Sequence, residues 1–308
     1  MELVDSYDLG SYAKACRFES YSGYNLYKSY MKEFKSFYKD VNTGNEGTLC
    51  NYTTRLDTYG CGCSHDCKYC YAKSLLDFRK LWNPTDPSVA DIEKIRKKLK
   101  KLAGSGKVIR LGGMTDCFQP AERIHKVTYE TLKILKEYRI EYLIVTKSDL
   151  IATDEYIEVL DKDLAHIQVS VTTTDDKKSL TYEKATVPSK RIAAIEKLQS
   201  LGFDVQLRLS PFIPEFIDID VINNVKCDKI LVEFLRVNTW VKKWFDIDFS
   251  DYTLHSHGYN HLPLEKKIEY LNRIKFNQIS VCEDVPEHHK YWGENVNTNP
   301  NDCCNLKR

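Results

Sequence analysis

Four cysteines, a glycine and a histidine fall within ten residues of the chain, in the stretch CGCSHDCKYC at 61–70. Three of these cysteines, Cys63, Cys67 and Cys70, have the spacing C-x3-C-x2-C. Zinc sites usually pair two C-x2-C units, or one such unit with two histidines, and this chain has no second C-x2-C. Three thiolates from one loop can instead hold three corners of a [4Fe–4S] cluster and leave the fourth iron open to a ligand. A structural zinc site is the alternative, and Cys61 lies outside the spacing.

The composition is that of a globular protein with a substantial core. Of the 308 residues 42% are hydrophobic, so disulfides are not needed to hold the fold together. The 45 basic and 44 acidic residues leave a net charge of +1, which argues against a strongly electrostatic nucleic-acid binder. We see no apolar secretory signal and no run long enough to span a membrane, and therefore expect a cytoplasmic protein. In that compartment eleven cysteines favour metal binding or chemistry over disulfides.

Short β-rich runs alternate with helical segments after the cysteine motif. Helical spacing of apolar residues marks DIEKIRKKLKKL, SKRIAAIEKLQSLG and PLEKKIEYLNRIK. The alternation predicts parallel strands joined by right-handed crossovers, in about six or seven units, with the chemistry at the carboxyl ends of the strands. The predicted strands are VIRLGG (108–113), YLIVT (142–146), IQVSV (167–171), VQLRLS (205–210), ILVEFL (230–235) and QISV (278–281).

Three blocks of sequence resemble one known family. Tyr69 fills the aromatic position of C-x3-C-x-aromatic-C, the signature of the radical S-adenosylmethionine (SAM) superfamily, between a predicted first strand (DTYG) and a predicted helix (YAKSLLDFRKL). GCSHDCKYCYAK, GGMTDCFQPAE and YLIVTKSDLI occur in the order found in its spore photoproduct lyase-like branch. The resemblance implies an α/β fold, a partial (β/α)6 parallel barrel over residues 51–285, with an N-terminal extension (1–50) and a C-terminal capping tail (286–308).

The same resemblance implies a chemistry. Cys63, Cys67 and Cys70 would ligate the [4Fe–4S] cluster, and SAM would chelate the free iron. An electron from a reducing partner such as flavodoxin or ferredoxin would cleave SAM to a 5′-deoxyadenosyl radical, which takes a hydrogen atom from the substrate. The residues expected at SAM are Tyr69, Gly112, Gly113, Thr115, Asp116, Lys147, Ser170, Thr172 and Arg208. For the two glycines an ordinary turn is the alternative, and for Arg208 a structural salt bridge.

The substrate implied by this branch is a nucleic-acid base or nucleotide, and the enzyme would be lyase-like. Cys117 is a candidate hydrogen-atom donor, because the lyase has a donor cysteine near this strand end, although Met114 sits nearer the corresponding place. A radical SAM isomerase or peptide-modifying enzyme is the alternative within the enzyme class. A non-enzymatic zinc or iron–sulfur binding module is the rival outside it.

Two later segments carry further candidate groups. Cys282, Cys303 and Cys304, with His288 and His289, could bind a second cluster or metal. A tail that closes the open side of the barrel is the favoured interpretation, because adjacent cysteines rarely ligate one zinc ion. The insertion at 237–262, with two tryptophans and three histidines, is a candidate substrate loop, and packing over the barrel mouth is the alternative.

Overall fold

The computed structural model describes residues 36–38 and 49–306. Its strands are β1 (Phe37–Tyr38), β2 (Arg55–Leu56), β3 (Tyr59–Gly60), β4 (Ser88–Val89), β5 (Ile109–Leu111), β6 (Tyr142–Thr146), β7 (Ala165–Val171), β8 (Asp204–Phe212), β9 (Lys229–Phe234), β10 (Leu254–Ser256), β11 (Tyr259–His261) and β12 (Gln278–Val281). The helices are α1 (Tyr71–Asp77), α2 (Ile92–Leu102), α3 (Glu122–His125), α4 (Val127–Glu137), α5 (Asp154–Val159), α6 (Asp176–Ser179), α7 (Pro188–Ser200), α8 (Ile219–Asn223), α9 (Thr239–Trp244), α10 (Leu264–Leu271) and α11 (Pro286–Asn295). Two 3₁₀ turns lie at Asp149–Ala152 and Pro214–Phe216.

One sheet organises the molecule, in the order β1-β2-β5-β6-β7-β8-β9-β12. All neighbours in it run parallel except β1, which pairs antiparallel with β2. The sheet therefore contains seven parallel strands in an unclosed barrel, and the predicted fold class is confirmed. Two small antiparallel ladders, β3 with β4 and β10 with β11, lie outside it.

The strands are apolar because both faces of the sheet are covered. On one face Leu111, Ile144, Ile167 and Leu207 are all fully buried in the main core. The other face lines the barrel interior and is more polar: register pairs Arg110 with Leu143, Gln168 with Gln206 and Arg208 with Leu231. Alternation along each strand thus separates a packing face from a face that can carry chemistry.

The predicted runs at 142–146 and 278–281 match strands residue for residue, and the other four overlap strands of the sheet. The prediction of DTYG as the first strand is wrong, since Arg55–Leu56 joins the sheet and Tyr59–Gly60 pairs with β4. The helix after the motif ends at Asp77, and Lys80 then takes a left-handed φ of 56°. Most of the predicted extension (1–50) lies outside the described residues.

No helix within residues 36–38 and 49–306 is both long enough and apolar enough to cross a membrane.

Candidate active site

A pocket opens at the carboxyl ends of the parallel strands, where the cysteine motif meets the loops after β5 and β6. All but two of the residues predicted from the sequence line it. The exceptions are Thr172 and Cys117. The residues it gathers are Cys63, Cys67, Cys70, Tyr69, Gly112, Gly113, Thr115, Asp116, Lys147, Ser170 and Arg208.

The motif loop is held by backbone turns and by one distant side chain. Asp66 and Cys70 donate their N–H groups to the carbonyls of Cys63 and Cys67, at 3.1 and 3.2 Å. Gln119 accepts the Ser64 N–H at 2.8 Å, so the T-D-x-x-Q block reaches back to the loop. A Cβ on Gly62 would lie 1.9 Å from the Asn83 carbonyl oxygen, which only glycine avoids.

The three motif thiols are free, and burial raises the pKa of each. For Cys63 the pKa rises to about 12. A buried thiol of this kind gives up its proton only to a strong cation such as iron. Among the described residues these are the only cysteines that line the pocket. Cys61 is disulfide-bonded. The donor set fits a [4Fe–4S] cluster with one iron left to a non-protein ligand.

Gly112 and Gly113 bring bare backbone to the pocket wall. Gly112 has a left-handed φ of 80°, and a Cβ there would lie 2.4 Å from the Val145 carbonyl oxygen. The Tyr71 hydroxyl donates to the Gly113 carbonyl. Beneath this turn Asp57 accepts the Met114 N–H at 3.1 Å, and burial raises the pKa of Asp57 to about 6. The predicted glycine segment is therefore a constrained turn that also forms a wall of the pocket.

Asp116 connects the motif loop to the end of β6. Its carboxylate lies 3.4 Å from His65 Nδ1 and accepts the Thr146 hydroxyl at 2.8 Å and the Lys147 N–H at 2.7 Å. Burial alone would raise the pKa of Asp116, but His65 and these hydrogen bonds lower it to about 2. The Thr115 hydroxyl, expected at SAM, donates to the Tyr59 carbonyl at 2.5 Å. Asp116 and Thr115 therefore line the pocket, while their polar groups bind other protein groups and stabilise the pocket wall.

A buried ion pair supports Tyr69, and the sequence interpretation missed it. Glu183 and Arg191 are paired with fully buried side chains, and the Tyr69 hydroxyl donates to Glu183. Burial would raise the pKa of Glu183, but Arg191 and Lys147 hold it below its usual range. The sequence did contain an indication of this pair, because an arginine on the apolar face of a helix needs a buried partner. Arg191 lies on that face of α7, four residues before the buried Ile195.

Thr172 belongs to this buried network and not to the pocket. Its hydroxyl donates to Glu183 at 3.1 Å and lies 3.0 Å from the Tyr182 hydroxyl. The lysine predicted to pair with the SAM carboxylate, Lys147, lies at the pocket with its ammonium 5.7 Å from the centre of the Tyr69 ring.

Arg208 has a protein carboxylate beside it. It pairs with Glu233 and donates to the Gln168 side-chain oxygen at 2.6 Å. Burial would raise the pKa of Glu233, but Arg208 and Arg236 lower it to about 2. Arg236 in turn lies 3.1 Å from Asp284. The structural salt bridge weighed for Arg208 is therefore present, and the residue lines the pocket as well.

Cys117 is not among the residues that line the pocket. It is 0% exposed, in the main core, and its carbonyl accepts the Thr128 hydroxyl at 2.6 Å. Met114 does line the pocket. Hydrogen-atom donation by Cys117 stays a prediction, and the burial of this residue in the core does not favour it.

The insertion at 237–262 folds as α9 and the β10–β11 hairpin. Asn238, Val241 and Tyr259 line the pocket. Trp240 and Trp244 lie outside it, with ring centres 5.7 Å apart. His261 is buried, with Nδ1 3.8 Å from Asp284.

The family follows from the comparison with known proteins. Residues 58–225, over half of the chain, match the model of the Radical SAM superfamily. The chain belongs to the radical SAM superfamily, and is thereby an enzyme whose cofactors are a [4Fe–4S] cluster and SAM.

Similar sequences occur in archaea, bacteria and a virus. An uncharacterized protein of Methanocaldococcus jannaschii is 31% identical over 169 residues, which cover 52% of this chain and 61% of that protein. An uncharacterized protein of Acidianus two-tailed virus is 22% identical over 91% of this chain and 90% of its own length. One from Mycobacterium tuberculosis is 25% identical over 51% of this chain and 49% of its own. The chain thus spans less than two thirds of the archaeal and mycobacterial relatives.

Solved structures share the fold. A spore photoproduct lyase variant with bound AdoMet and dinucleoside spore photoproduct superposes with a TM-score of 0.56 at 12% identity, covering 76% of this chain and 77% of that one. Streptococcus suis SuiB bound to its precursor peptide SuiA gives a TM-score of 0.52 at 16% identity, covering 74% and 48%. The spore photoproduct lyase-like fold expected from the motif blocks is confirmed.

Proposed function

We propose that Cys63, Cys67 and Cys70 hold the [4Fe–4S] cluster, that SAM binds in the adjoining pocket, and that the enzyme acts on a nucleic-acid base or nucleotide. The observation that carries the proposal is the convergence on one pocket of the three motif thiols with the loops after β5 and β6. When bound, the cluster supplies an electron that cleaves SAM, and the resulting 5′-deoxyadenosyl radical abstracts a hydrogen atom from substrate.

The residues of the chain have separable roles in this proposal. Gly112 and Gly113 let the methionyl end of SAM approach the backbone, and Lys147 offers a cation for its carboxylate. Tyr69 presents its backbone to the adenine while Glu183 holds its ring. Asp116 fixes the motif loop against β6, and Ser170 and Arg208 form the floor beside Glu233.

The proposed substrate class is supported by an aromatic ledge beside the mouth, formed by Phe78, Trp240 and Trp244. Phe78 is 60% exposed, and its ring centre lies 6.1 Å from that of Trp240. Lys243 lies 5.9 Å from the Trp240 ring, and Lys73, which pairs with Asp66 at 2.7 Å, lies 5.0 Å from the Trp244 ring. Aromatic faces stack on bases, and neighbouring lysines attract phosphates. The helix that carries the two tryptophans, α9, also sends Val241 into the pocket, so the ledge is continuous with it.

The test begins with the anaerobically reconstituted, reduced enzyme and SAM. We expect 5′-deoxyadenosine to form faster when a single-stranded oligonucleotide is added. The Trp240→Ala/Trp244→Ala variant should need at least about tenfold more oligonucleotide for the same stimulation, because base stacking contributes roughly 1–3 kcal/mol per base. Ile124→Ala, at another exposed apolar side chain, should behave as wild type.

Other outcomes favour the other interpretations. Stimulation by peptides and not by oligonucleotides would favour a peptide-modifying enzyme. A product that is an isomer of the added substrate, with the same mass, would favour an isomerase. A colourless, zinc-loaded protein that forms no 5′-deoxyadenosine would contradict the proposed use of the motif cysteines.

A further inference from the structure

Four free cysteines outside the motif come together inside the barrel: Cys50, Cys282, Cys303 and Cys304, here called the interior thiol group. All four belong to one small apolar cluster that includes Leu143 and Leu231. These two leucines share register rows with Arg110 and Arg208, so they face the barrel interior. The group therefore lies within the barrel, and the two arginines also line the SAM pocket.

The C-terminal segment that carries two of these cysteines is fixed by hydrogen bonds. Asp302 accepts the Cys304 N–H at 3.0 Å and the Tyr52 hydroxyl at 2.5 Å. Lys229 donates to the Asn305 carbonyl at 2.8 Å. Cys282 continues β12, with its N–H on the Val232 carbonyl at 2.9 Å. Three separate parts of the chain thus deliver four thiols to one place.

The thiols lie beside one another and beside positive charge. Cys303 is next to both Cys282 and Cys304. The Tyr52 N–H donates to Cys50 Sγ at 3.4 Å, the type of contact that stabilises a thiolate. Arg208 and Arg110 are close enough to Cys304 to interact with it electrostatically.

Buried polar groups near this cluster point to a further ligand. The Ser280 hydroxyl has no hydrogen-bond partner among the described residues, and the residue is 0% exposed. Ser280 is in register with Leu231, so it faces the interior that holds the thiols. Gln206 Nε2, on the same interior face, is likewise buried with no partner within 36–38 and 49–306. Such donors are typical of the surroundings of metal-bound sulfur.

We propose that the interior thiol group binds a second metal centre, an iron–sulfur cluster, because thiolates select such soft centres and a cluster spaces its ligands more widely than a single ion does. The oxidised core of such a cluster carries two positive charges, so four thiolates around it leave two net negative charges. Arg110 and Arg208 lie close by and offset part of this negative charge, although Arg208 also pairs with Glu233. The centre also fastens the C-terminal segment to the barrel, because its ligands come from both.

The test uses the full chain without the motif site, as the Cys63→Ala/Cys67→Ala/Cys70→Ala variant purified anaerobically. We expect this variant to retain about two to four irons per chain by elemental analysis. X-ray absorption at the iron edge should show iron bound by sulfur only, which an adventitious ion does not give.

Adding Cys282→Ser/Cys304→Ser to that variant should remove the metal. Adding Cys227→Ser should not, because Cys227 Sγ contacts the carbonyls of Val205 and Lys229 away from the group. A motif-free chain without iron, or with Cys282 and Cys303 joined by a disulfide, overturns the proposal. Retention of the metal after Cys282→Ser/Cys304→Ser also overturns it. If that variant fails to fold, the motif-free chain alone decides the question.

Discussion

The two cysteine groups of the barrel are built in opposite ways. The motif group comes from one loop, residues 63–70, and turns within that loop already set the relative positions of its thiols. The interior thiol group comes from positions 50, 282 and 303–304, which meet only when the tail enters the barrel. The comparison teaches that a motif in sequence marks a site only when local structure positions its ligands.

Their supports differ as well. Around the motif group lie buried carboxylates, Asp57, Asp116 and Glu183, each with several hydrogen-bonding or ionic partners. The interior group depends on arginines that stand between it and the pocket, Arg110 and Arg208. The predictions below separate these regions, beginning with the largest effect.

Cys67→Ala removes one corner of the motif group and should abolish SAM cleavage, lowering 5′-deoxyadenosine formation about a thousandfold or more. About four irons per chain should be lost with it. Chromatography of the products and elemental analysis provide the measurements. Cys227→Ala is the matched control and should keep both. Full activity in Cys67→Ala would exclude this thiol as a ligand.

Arg191→Met should lower the free energy of unfolding by about 3–5 kcal/mol, because Glu183 would be left buried without its partner. The double variant Glu183→Gln/Arg191→Met should lose less free energy of unfolding than the arginine variant alone. Urea unfolding of the single and double variants measures both. Strictly additive effects would show that the pair does not act as a unit.

Glu233 tests the charged layer between the two groups. Its pKa is about 2 in the folded chain, below the ordinary 4.5, so its carboxylate stabilises the fold above pH 4.5 and this contribution is lost as the pH falls through about 2. The free energy of unfolding of wild type should exceed that of Glu233→Gln by about 2–3 kcal/mol at pH 7, and this difference should become smaller at pH 3.5. Urea unfolding at both pH values measures it. A gap that widens on acidification would reverse the assigned sign.

Gly112→Ala should lower the free energy of unfolding by about 2–4 kcal/mol, because the new side chain would combine a left-handed φ with a clash against the Val145 carbonyl. Gly202→Ala is the matched control, because Gly202 has the same φ of 80° and a Cβ there would have nothing within 4 Å. It should lower the free energy of unfolding by about 1–2 kcal/mol. Thermal unfolding gives both values. SAM affinity should fall only in Gly112→Ala, and equal behaviour of the two variants would remove the close-approach argument.

Cys117→Ala should have the smallest effect. Its thiol is sealed in the core, so the ratio of products to 5′-deoxyadenosine should change less than about twofold, with a stability loss of about 1 kcal/mol from the small cavity. Product analysis checks this. A clear change in product distribution would restore the role that the sequence suggested for this residue.

Much of the fold was predictable, because buried parallel strands form apolar runs and the helices between them repeat every 3.6 residues. The first strand was misplaced because only two residues, Arg55 and Leu56, join the sheet there. Thr172 was expected beside Ser170, two positions away on the same face. It lies past the end of β7, where that alternation no longer holds.

The amino-acid sequence by itself determined the three-thiol motif, its place before a helix and the alternation of parallel strands with helices, because each depends on patterns among near neighbours in the chain. Only the tertiary structure decided which groups share the barrel interior. Arg208 meets Glu233 through the register of β8 with β9, and Cys50 meets Cys304 through the path of the tail. No local spacing encodes those.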